Sequence, residues 1–339
     1  MKMRTFRLTI EMFLFLAIII TNSFGYITAA QENGTSIFSD VNDKFWAKQA
    51  INNWSSKGVI NGDGVNFYPD KQITRAELAA ILYRIFGYEK TTDNPFSDIK
   101  NNDWYYDFIN KAYTRGIIKG DLDNSGNLLA RPNDPVTRAE AALIFKRIFS
   151  VNENSGDHTS FKDTNLPEWA KDAIFGMEAS GYINGKDGGF FDPFCNLSRA
   201  ETVQILNNII RLYINEPGNY STNSDGNVVI NTPDAVLQNM KITGNLYLSE
   251  GIGEGSVSLV NVTVTGSTFI RGGGADRITI TNSNLGNKVI EKDGINLNDS
   301  SSSSGSNSSG ASTGSSGSGG SGNTDNSDNA GSSGDITEY

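Results

Sequence analysis

The sequence predicts a mainly α-helical repeat region, followed by a small all-β solenoid and a disordered tail. The element TRAE or SRAE occurs at Thr74, Thr137 and Ser198, each time at the start of an apolar segment with helical period. Period-two runs rich in Val, Ile and Thr occupy residues 227–297 and indicate strands. Residues 298–339 are rich in Ser and Gly, which bury too little apolar surface to fold.

The N-terminal residues resemble a leader for export. Basic residues precede an apolar run from Met12 to Ile20, and Ala29 and Ala30 provide small side chains for cleavage. The apolar run is too short to span a bilayer. We therefore expect a signal peptide at 1–30, a short linker at 31–37, and a secreted chain without membrane attachment after cleavage.

Composition excludes several classes of function. The formal net charge is −10, and no stripe of Lys and Arg with interleaved aromatic residues is present, which argues against a nucleic-acid partner. Cys195 is the single cysteine, so an intramolecular disulfide cannot form. His158 is the single histidine, so the chain has almost none of the histidine that a histidine metal site or a Ser-His-Asp triad requires. No cofactor or metal is expected.

Three copies of one unit follow the leader, beginning at Phe38, Phe96 and Phe161. The spacing to an aspartate, a tryptophan and two glycines is the same in all three copies: Asp40, Asp98 and Asp163; Trp46, Trp104 and Trp169; Gly58, Gly116 and Gly181; Gly62, Gly120 and Gly185. Length then varies, as in a surface loop, until the copies realign at Pro69, Pro132 and Pro193. These landmarks predict repeats at 38–90, 91–151 and 152–214.

Each repeat is predicted to contain two helices. The first helix ends at a glycine, and the second begins at the TRAE element and ends, in the first repeat, at Gly87. A Thr or Ser followed three residues later by Glu predicts a capping box, in which each side chain accepts a backbone N–H of the other residue. The predicted pairs are Thr74 with Glu77, Thr137 with Glu140, and Ser198 with Glu201.

The capping box leaves one residue of the element unexplained. Arg75, Arg138 and Arg199 stand in the first helical turn, where the helix dipole disfavours a cation. Two roles fit the spacing. The arginine can pair with the aspartate of the repeat (Asp40, Asp98 or Asp163) as a structural brace, or it can act with free helix N–H groups to hold a carboxylate or phosphate of a ligand.

The motifs FSDV, FWAKQAI, GVINGDG, FYPD and ITRAEL together resemble the S-layer homology (SLH) family in three tandem copies, over residues 38–214. The resemblance implies a pseudo-trimer, in which a central helical bundle carries three prongs with grooves between them. It also implies binding of a peptidoglycan-linked secondary cell-wall polysaccharide, often through the carboxylate of a pyruvate ketal on N-acetylmannosamine. With this implication, we favour Arg75, Arg138 and Arg199 as ligand contacts.

Two further landmark sets become candidate ligand contacts under this resemblance. Trp46, Trp104 and Trp169 can form an apolar wall for the sugar, although they fit equally as core anchors of the first helices. Gly62, Gly120 and Gly185 can let backbone approach a ligand, although a turn with positive φ explains them as well. Differences between the copies leave open which grooves bind.

The loop DLDNSG in the second repeat has carboxylates spaced as in a calcium-binding loop. Asp121, Asp123 and Ser125 stand at ligand positions and Gly126 at the turn, but Pro132 occupies the position that needs a bidentate glutamate. We interpret the loop as a solvated turn.

The alternating region repeats with a period of about 22 residues, with Leu237 and Leu259 in equivalent positions and a third run beginning at Ile278. It resembles a short right-handed parallel β-helix of barely three coils at 227–297, joined to the repeats by a linker at 215–226. Since β-helices include polysaccharide lyases, an enzymatic function of this region is an alternative. The charged residues of its glycine-rich turns form no evident catalytic constellation: Glu250, Glu254, Asp276 and Arg271.

The sequence therefore predicts a non-catalytic protein anchored to the cell wall or S-layer of a Gram-positive-type envelope. Its predicted partners are the secondary cell-wall polysaccharide and other surface-layer proteins. The alternatives are a wall-tethered carbohydrate-active enzyme that uses the β-helix, and a structural S-layer subunit.

Overall fold

The structure, a computed structural model, describes residues 37–151 and 161–300. The predicted signal peptide at 1–30, nearly all of the linker at 31–37, His158 and the tail beyond residue 300 lie outside the described residues. Within the described part of the chain, no helix combines the length and the apolar character needed to cross a membrane.

Each repeat contributes two helices to one bundle. The first helices are α1 (Lys48–Ser56), α3 (Tyr106–Thr114) and α5 (Lys171–Ala179); the second helices are α2 (Arg75–Phe86), α4 (Arg138–Phe149) and α6 (Arg199–Ile209). The second helix of one repeat packs against the first helix of the next, so that α2 contacts α3, α4 contacts α5, and α6 closes the ring on α1. The predicted pseudo-threefold helical bundle is confirmed.

A ring of three backbone hydrogen bonds lies just before the second helices. The N–H of Ile73 donates to the carbonyl of Leu197 at 2.9 Å, that of Leu197 to Val136 at 2.8 Å, and that of Val136 to Ile73 at 3.0 Å. All three side chains are fully buried. Because each repeat donates to a different neighbour, the three repeats close on one another rather than stack in a line.

The chain after α6 is a parallel β-solenoid with two five-stranded sheets and about four turns. Two short strands of the second repeat, β1 (Asp121–Leu122) and β2 (Leu128–Leu129), precede it in the chain. The solenoid strands are β3 (Ile210–Ile214), β4 (Gly218–Tyr220), β5 (Asn227–Ile230), β6 (Ala235–Ile242), β7 (Leu246–Leu248), β8 (Val257–Val264), β9 (Ser267–Ile270), β10 (Ile278–Thr281), β11 (Asn287–Ile290) and β12 (Leu297–Asp299). One sheet has the order β11-β9-β7-β5-β3 and the other β12-β10-β8-β6-β4.

The predicted period of about 22 residues is confirmed where β6 pairs with β8 and β7 with β9, whereas the other strand pairs of the solenoid are 16 to 21 residues apart. Leu237 of β6 pairs with Leu259 of β8, which pairs with Ile280 of β10. These side chains stack inside the solenoid with no exposed surface. Spacings of 22 and 21 residues therefore place large aliphatic side chains at one level of the core, as coil stacking requires.

Two predicted boundaries and the predicted number of coils are wrong for the region that follows α6. No linker occupies 215–226, because β3 follows α6 without an interval and β4 lies inside the predicted linker. The third repeat ends at Ile209 rather than 214, and the solenoid has more coils than the predicted three. The apolar run from Ile210 to Ile214 is shared: Tyr213 packs into the helical core and Ile214 into the solenoid core.

The sheet containing β3 covers the C-terminal ends of all three second helices. The Tyr247 hydroxyl donates to the Phe149 carbonyl at 2.7 Å, and the Asn227 amide donates to the Ile209 carbonyl at 2.9 Å. The amide of Asn231 reaches the last turn of α2 in the same way. Carbonyls at helix C-termini lack partners within the helix, so the solenoid supplies them. The helical bundle and the solenoid therefore share one core.

Candidate functional site

The three second helices begin with the predicted capping boxes. Thr74 accepts the N–H of Glu77, and the Glu77 carboxylate accepts the N–H of Thr74, at 3.2 and 3.0 Å. The same reciprocal pair is present at Thr137 with Glu140 and at Ser198 with Glu201.

The helix N–H groups that were expected to be free for a ligand are already bonded. In α2 the N–H of Arg75 donates to the Asp134 carbonyl at 3.0 Å, and that of Ala76 donates to the Pro132 carbonyl at 2.9 Å. The helices α4 and α6 make the same two bonds to the following repeat in the ring. The expectation that these N–H groups assist an anion is therefore wrong, because the neighbouring repeat occupies them.

The three arginines extend from their helix starts into the loop of the next repeat, where two backbone carbonyls accept from each guanidinium at 2.8–3.0 Å. The acceptors of Nε and Nη2, respectively, are Ala130 and Lys119 for Arg75, Phe191 and Asn184 for Arg138, and Phe67 and Asn61 for Arg199. Their exposed fractions are only 5, 4 and 7%. Each arginine thus braces two repeats together. We call the three repeat-to-repeat junctions the Arg75, Arg138 and Arg199 clefts.

A glutamate of the following capping box also approaches two of the guanidinium groups. Nη1 of Arg75 donates to Glu140 at 3.3 Å, and Nη1 of Arg138 donates to Glu201 at 3.4 Å. Desolvation by burial lowers the pKa of both guanidinium groups, and the carboxylates oppose that shift. The glutamate that closes a capping box therefore also contacts the arginine of the preceding repeat.

The predicted brace partners of the arginines, Asp40, Asp98 and Asp163, are bonded elsewhere. Asp40 accepts the consecutive N–H groups of Phe67 and Tyr68 at 2.8 and 2.7 Å, and the other two aspartates bind the equivalent N–H groups of their own repeats. The second N–H in each pair belongs to a non-glycine residue with positive φ just before the proline, such as Tyr68 at φ 61°. The aspartate holds this strained turn, whose preceding carbonyl then accepts from the arginine.

Two stretches with this geometry, residues 37–79 and 95–142, match the family model of the S-layer homology domain. The chain carries S-layer homology repeats. Residues 161–209 form a third SLH repeat by structure, with the same helix pair, capping box and braced arginine.

Several proteins are similar to this chain over about half of its length. An amylopullulanase of Thermoanaerobacterium thermosulfurigenes is 35% identical over 50% of this chain, and that stretch is 9% of its own length. A surface-layer 125 kDa protein of Lysinibacillus sphaericus is 38% identical over 42% of this chain and 12% of its own. A cellulosome-anchoring protein of Acetivibrio thermocellus is 30% identical over 47% of this chain and 36% of its own. The matched part thus spans about a third or less of each relative.

The tryptophans of the SLH repeats lie on the surface. Trp46, Trp104 and Trp169 are 58, 59 and 44% exposed, so the alternative that they anchor the first helices in the core is wrong. In the first repeat Trp54, which is fully buried, has that role. The role of Trp46, Trp104 and Trp169 as a wall for a sugar stays a prediction.

The second glycine of each SLH repeat makes room for the phenylalanine that opens the repeat. A Cβ atom on Gly62, Gly120 or Gly185 would lie 2.8, 2.6 or 2.9 Å from Phe38, Phe96 or Phe161, respectively. Positive φ, the alternative explanation, is wrong for these three glycines. Their predicted role in ligand approach stays a prediction.

We expect Gly62→Ala to lower the free energy of unfolding by about 2 kcal/mol, because its Cβ would also lie 1.9 Å from the backbone oxygen of Asn66. Gly58→Ala is the matched control in the same repeat. It has open space but a φ of +69°, so its cost comes from the backbone alone, at about 1 kcal/mol. Urea denaturation measures both. A Gly62 variant as stable as the Gly58 variant would contradict the close packing.

The acidic loop of the second SLH repeat closes on itself. Asp123 accepts the N–H groups of Ser125 and Asn127, both at 2.8 Å, between the short strands β1 (Asp121–Leu122) and β2 (Leu128–Leu129). The hydrogen bond that the Asn127 side-chain amide donates to Asp123, together with these backbone hydrogen bonds, lowers the pKa of Asp123. Across residues 37–151 and 161–300, no group of three or more His, Cys, Asp or Glu is placed to hold a metal ion.

Sequence reasoning missed the residue just before the proline. This position is Tyr68, Arg131 and Asp192 in successive repeats, and it lies beside the clefts. Its signal was available, because the copies realign at the proline that follows. The carbonyls that accept from the arginines left no such signal, since every residue has a carbonyl.

Proposed function

We propose that this chain is a secreted, non-catalytic protein that anchors to the cell wall by binding a peptidoglycan-linked secondary cell-wall polysaccharide. The observation that carries the proposal is the repetition of one braced guanidinium in three equivalent clefts between SLH repeats. The names of two relatives, a surface-layer protein and a cellulosome-anchoring protein, support a place in the wall or S-layer of a Gram-positive-type envelope, where other surface-layer proteins would be neighbours.

The proposed ligand group is the carboxylate of a pyruvate ketal. A guanidinium has five N–H donors in a planar fork that suits carboxylate geometry, and the protein carbonyls use two of them in each cleft. Because the carbonyls hold the group rigidly, little side-chain entropy is lost when an anion binds. The net charge of −10 gives no long-range attraction, so the interaction is local.

The exposed tryptophans supply the second part of the proposed site. An aromatic face suits the C–H side of a pyranose ring. Trp104 extends such a surface, since its ring lies 5.4 Å from Tyr105 and 6.2 Å from Phe108 between centroids. In this proposal the tryptophan packs on the sugar while the arginine contacts the ketal.

The position of the solenoid supports binding at the helix starts. The solenoid covers the C-terminal ends of the second helices, and a helix of 12 residues is about 18 Å long. The clefts at the N-terminal ends are therefore distant from the solenoid sheet and stay accessible to a long polymer.

The solenoid is not catalytic in this proposal. Arg271, the basic residue considered for a lyase, is buried at the junction and donates to Glu291 and to the Ile148 carbonyl. Glu250 accepts from Arg115 at 2.7 Å. Both groups hold the solenoid to the helices, and the relatives named as enzymes match this chain over a small part of their own length.

The test is sedimentation of the full chain with purified wall sacculi. We expect it to sediment with intact sacculi, to lose at least tenfold in affinity after mild acid removes the pyruvate ketals, and to stay soluble once the secondary polymer is extracted. Binding that survives ketal removal but not polymer extraction would reject the ketal and keep the polymer. Binding to bare peptidoglycan would reject the whole proposal.

A further inference from the structure

The three clefts differ in the hydrogen bonds that the protein makes to Nη1, the terminal guanidinium nitrogen that the backbone carbonyls leave free. We infer that the Arg199 cleft, between the third and first SLH repeats, is the one that binds a sugar-borne carboxylate. The inference rests on the proposed function and adds to it which cleft is used and how many ligands one chain binds.

The glutamate that would neutralise Arg199 is held by another residue. Glu140 and Glu201 accept from Nη1 of Arg75 and Arg138. The equivalent carboxylate for Arg199 is Glu77, whose Oε1 accepts instead from Nζ of Lys71 at 3.0 Å. Among the described residues, Nη1 of Arg199 makes no hydrogen bond.

The residue before the proline adds a second difference. In the Arg75 cleft this residue is Arg131. Its guanidinium donates to Asp121 at 2.6 Å and, at 3.1 Å, to the Glu140 oxygen that also accepts from Arg75. Arg131 therefore lies across the cleft. In the Arg138 cleft it is Asp192, an acid that would repel an anion. In the Arg199 cleft it is Tyr68, which is uncharged and 46% exposed and whose hydroxyl donates to the carboxylate of Asp63 in the same repeat.

The balance of charge points to the same cleft. The acids acting on Arg75 are Glu140, Asp121 and Asp134, whereas those acting on Arg199 are Glu77 and Asp40. Arg138 has three acids near it: Glu201, Asp192 and Asp163. Fewer acids therefore act directly on Arg199 than on Arg75 or Arg138.

The Arg199 cleft also presents a second exposed cation and a fixed guanidinium plane. The Lys71 side chain is 57% exposed, so it can contact a ligand while it holds Glu77. The Phe67 ring lies 4.7 Å from the Arg199 guanidinium carbon and supports its face, as Phe191 supports Arg138 at 4.8 Å. One carboxylate then binds to the two N–H groups of Nη1 and to the Lys71 ammonium. The other two arginines act only as braces between repeats.

The test is calorimetric titration of the full chain with the methyl glycoside of 4,6-O-pyruvylated N-acetylmannosamine. We expect one binding site per chain. Lys71→Ala should weaken binding about tenfold, because it removes one charge-assisted contact and releases Glu77 to bond with Arg199. Lys186→Ala, which removes the lysine paired with Asp192 at 3.9 Å in the Arg138 cleft, should change affinity less than twofold.

A further variant separates charge from fold. Glu77→Gln keeps a residue type that closes a capping box but removes the competing carboxylate, so it should bind at least as tightly as the wild type. Three sites per chain, an unchanged Lys71 variant, or a loss confined to the Lys186 variant would overturn the inference while leaving the proposed function in place. Sacculus binding without uptake of the glycoside would also overturn it, whereas failure to bind sacculi would reject the proposed function itself.

Discussion

Arg138→Ala is expected to lower the free energy of unfolding by about 4 kcal/mol, in the range measured when one partner of a buried charge pair is removed. The side chain is 4% exposed and donates to the carbonyls of Phe191 and Asn184, both at 2.8 Å, and to Glu201. Its removal leaves the buried Phe191 carbonyl and the partly buried Asn184 carbonyl without this donor, and the Glu201 carboxylate without its cation. Urea denaturation of the full chain measures the change.

Two variants control for the loss of a cation. Lys171→Ala removes an exposed lysine that pairs with Glu168, and it should change stability by less than about 0.5 kcal/mol. Arg138→Lys keeps a positive charge but cannot supply the planar fork of N–H donors. Its loss of stability should therefore fall between those of Arg138→Ala and Lys171→Ala. If Arg138→Ala were no more destabilising than Lys171→Ala, the brace would be unimportant.

This expectation changes how the arginines can be tested for ligand binding. The sequence alone, which favours the three arginines as ligand contacts, predicts that their substitution by alanine weakens wall binding and leaves the fold intact. The structure shows that the same side chains join the repeats. Loss of binding in such variants would therefore follow from unfolding as readily as from a lost contact.

Arg271→Ala is expected to lower the free energy of unfolding by about 4 kcal/mol by opening the junction between helices and solenoid. Arg271 is buried, donates to the Ile148 carbonyl at 2.8 Å and to Glu291 at 3.2 Å, and lies 5.4–5.9 Å from three aromatic rings. The contacts with Phe86, Tyr247 and Phe269 add a cation–π contribution of about 1 kcal/mol that alanine also removes.

The matched control lies on the same sheet. Arg211 of β3 pairs with Asp225 at 3.7 Å, and both side chains are largely exposed, so Arg211→Ala should cost less than about 0.5 kcal/mol. A double-mutant cycle with Glu291→Ala should give a coupling energy of at least about 1 kcal/mol. Additive effects would show that the pair with Glu291 contributes nothing, and that Arg271 acts through the bond to the Ile148 carbonyl and its aromatic contacts.

The shared core makes a second readout available for this variant. Val229, Tyr247 and Phe269 of the solenoid belong to the same apolar cluster as the helices, so the wild-type chain should unfold in a single transition. In the Arg271→Ala variant, the helices and the solenoid should unfold in two separate transitions. Two transitions in the wild type would contradict the shared core.

The register of the later solenoid coils could be predicted from the sequence, but the first coil could not. Pairing of Leu237 with Leu259 was predictable, because a repeated spacing forces equivalent residues to one level of a stack. The first coil was missed because the run from Ile210 to Ile214 continues the apolar pattern of the preceding helix. Only contact with both cores makes this run a strand, since Tyr213 packs into one core and Ile214 into the other.

The sequence by itself determined the features that depend on neighbours along the chain: three repeats, three capping boxes and the coil period. A capping box joins residues three apart, so four letters are enough to specify it. The tertiary structure alone decided what the arginines do. The two carbonyls that accept from Arg199 are 132 and 138 residues away, and a backbone carbonyl is chemically the same at every position. Their selection therefore requires the closed ring of repeats.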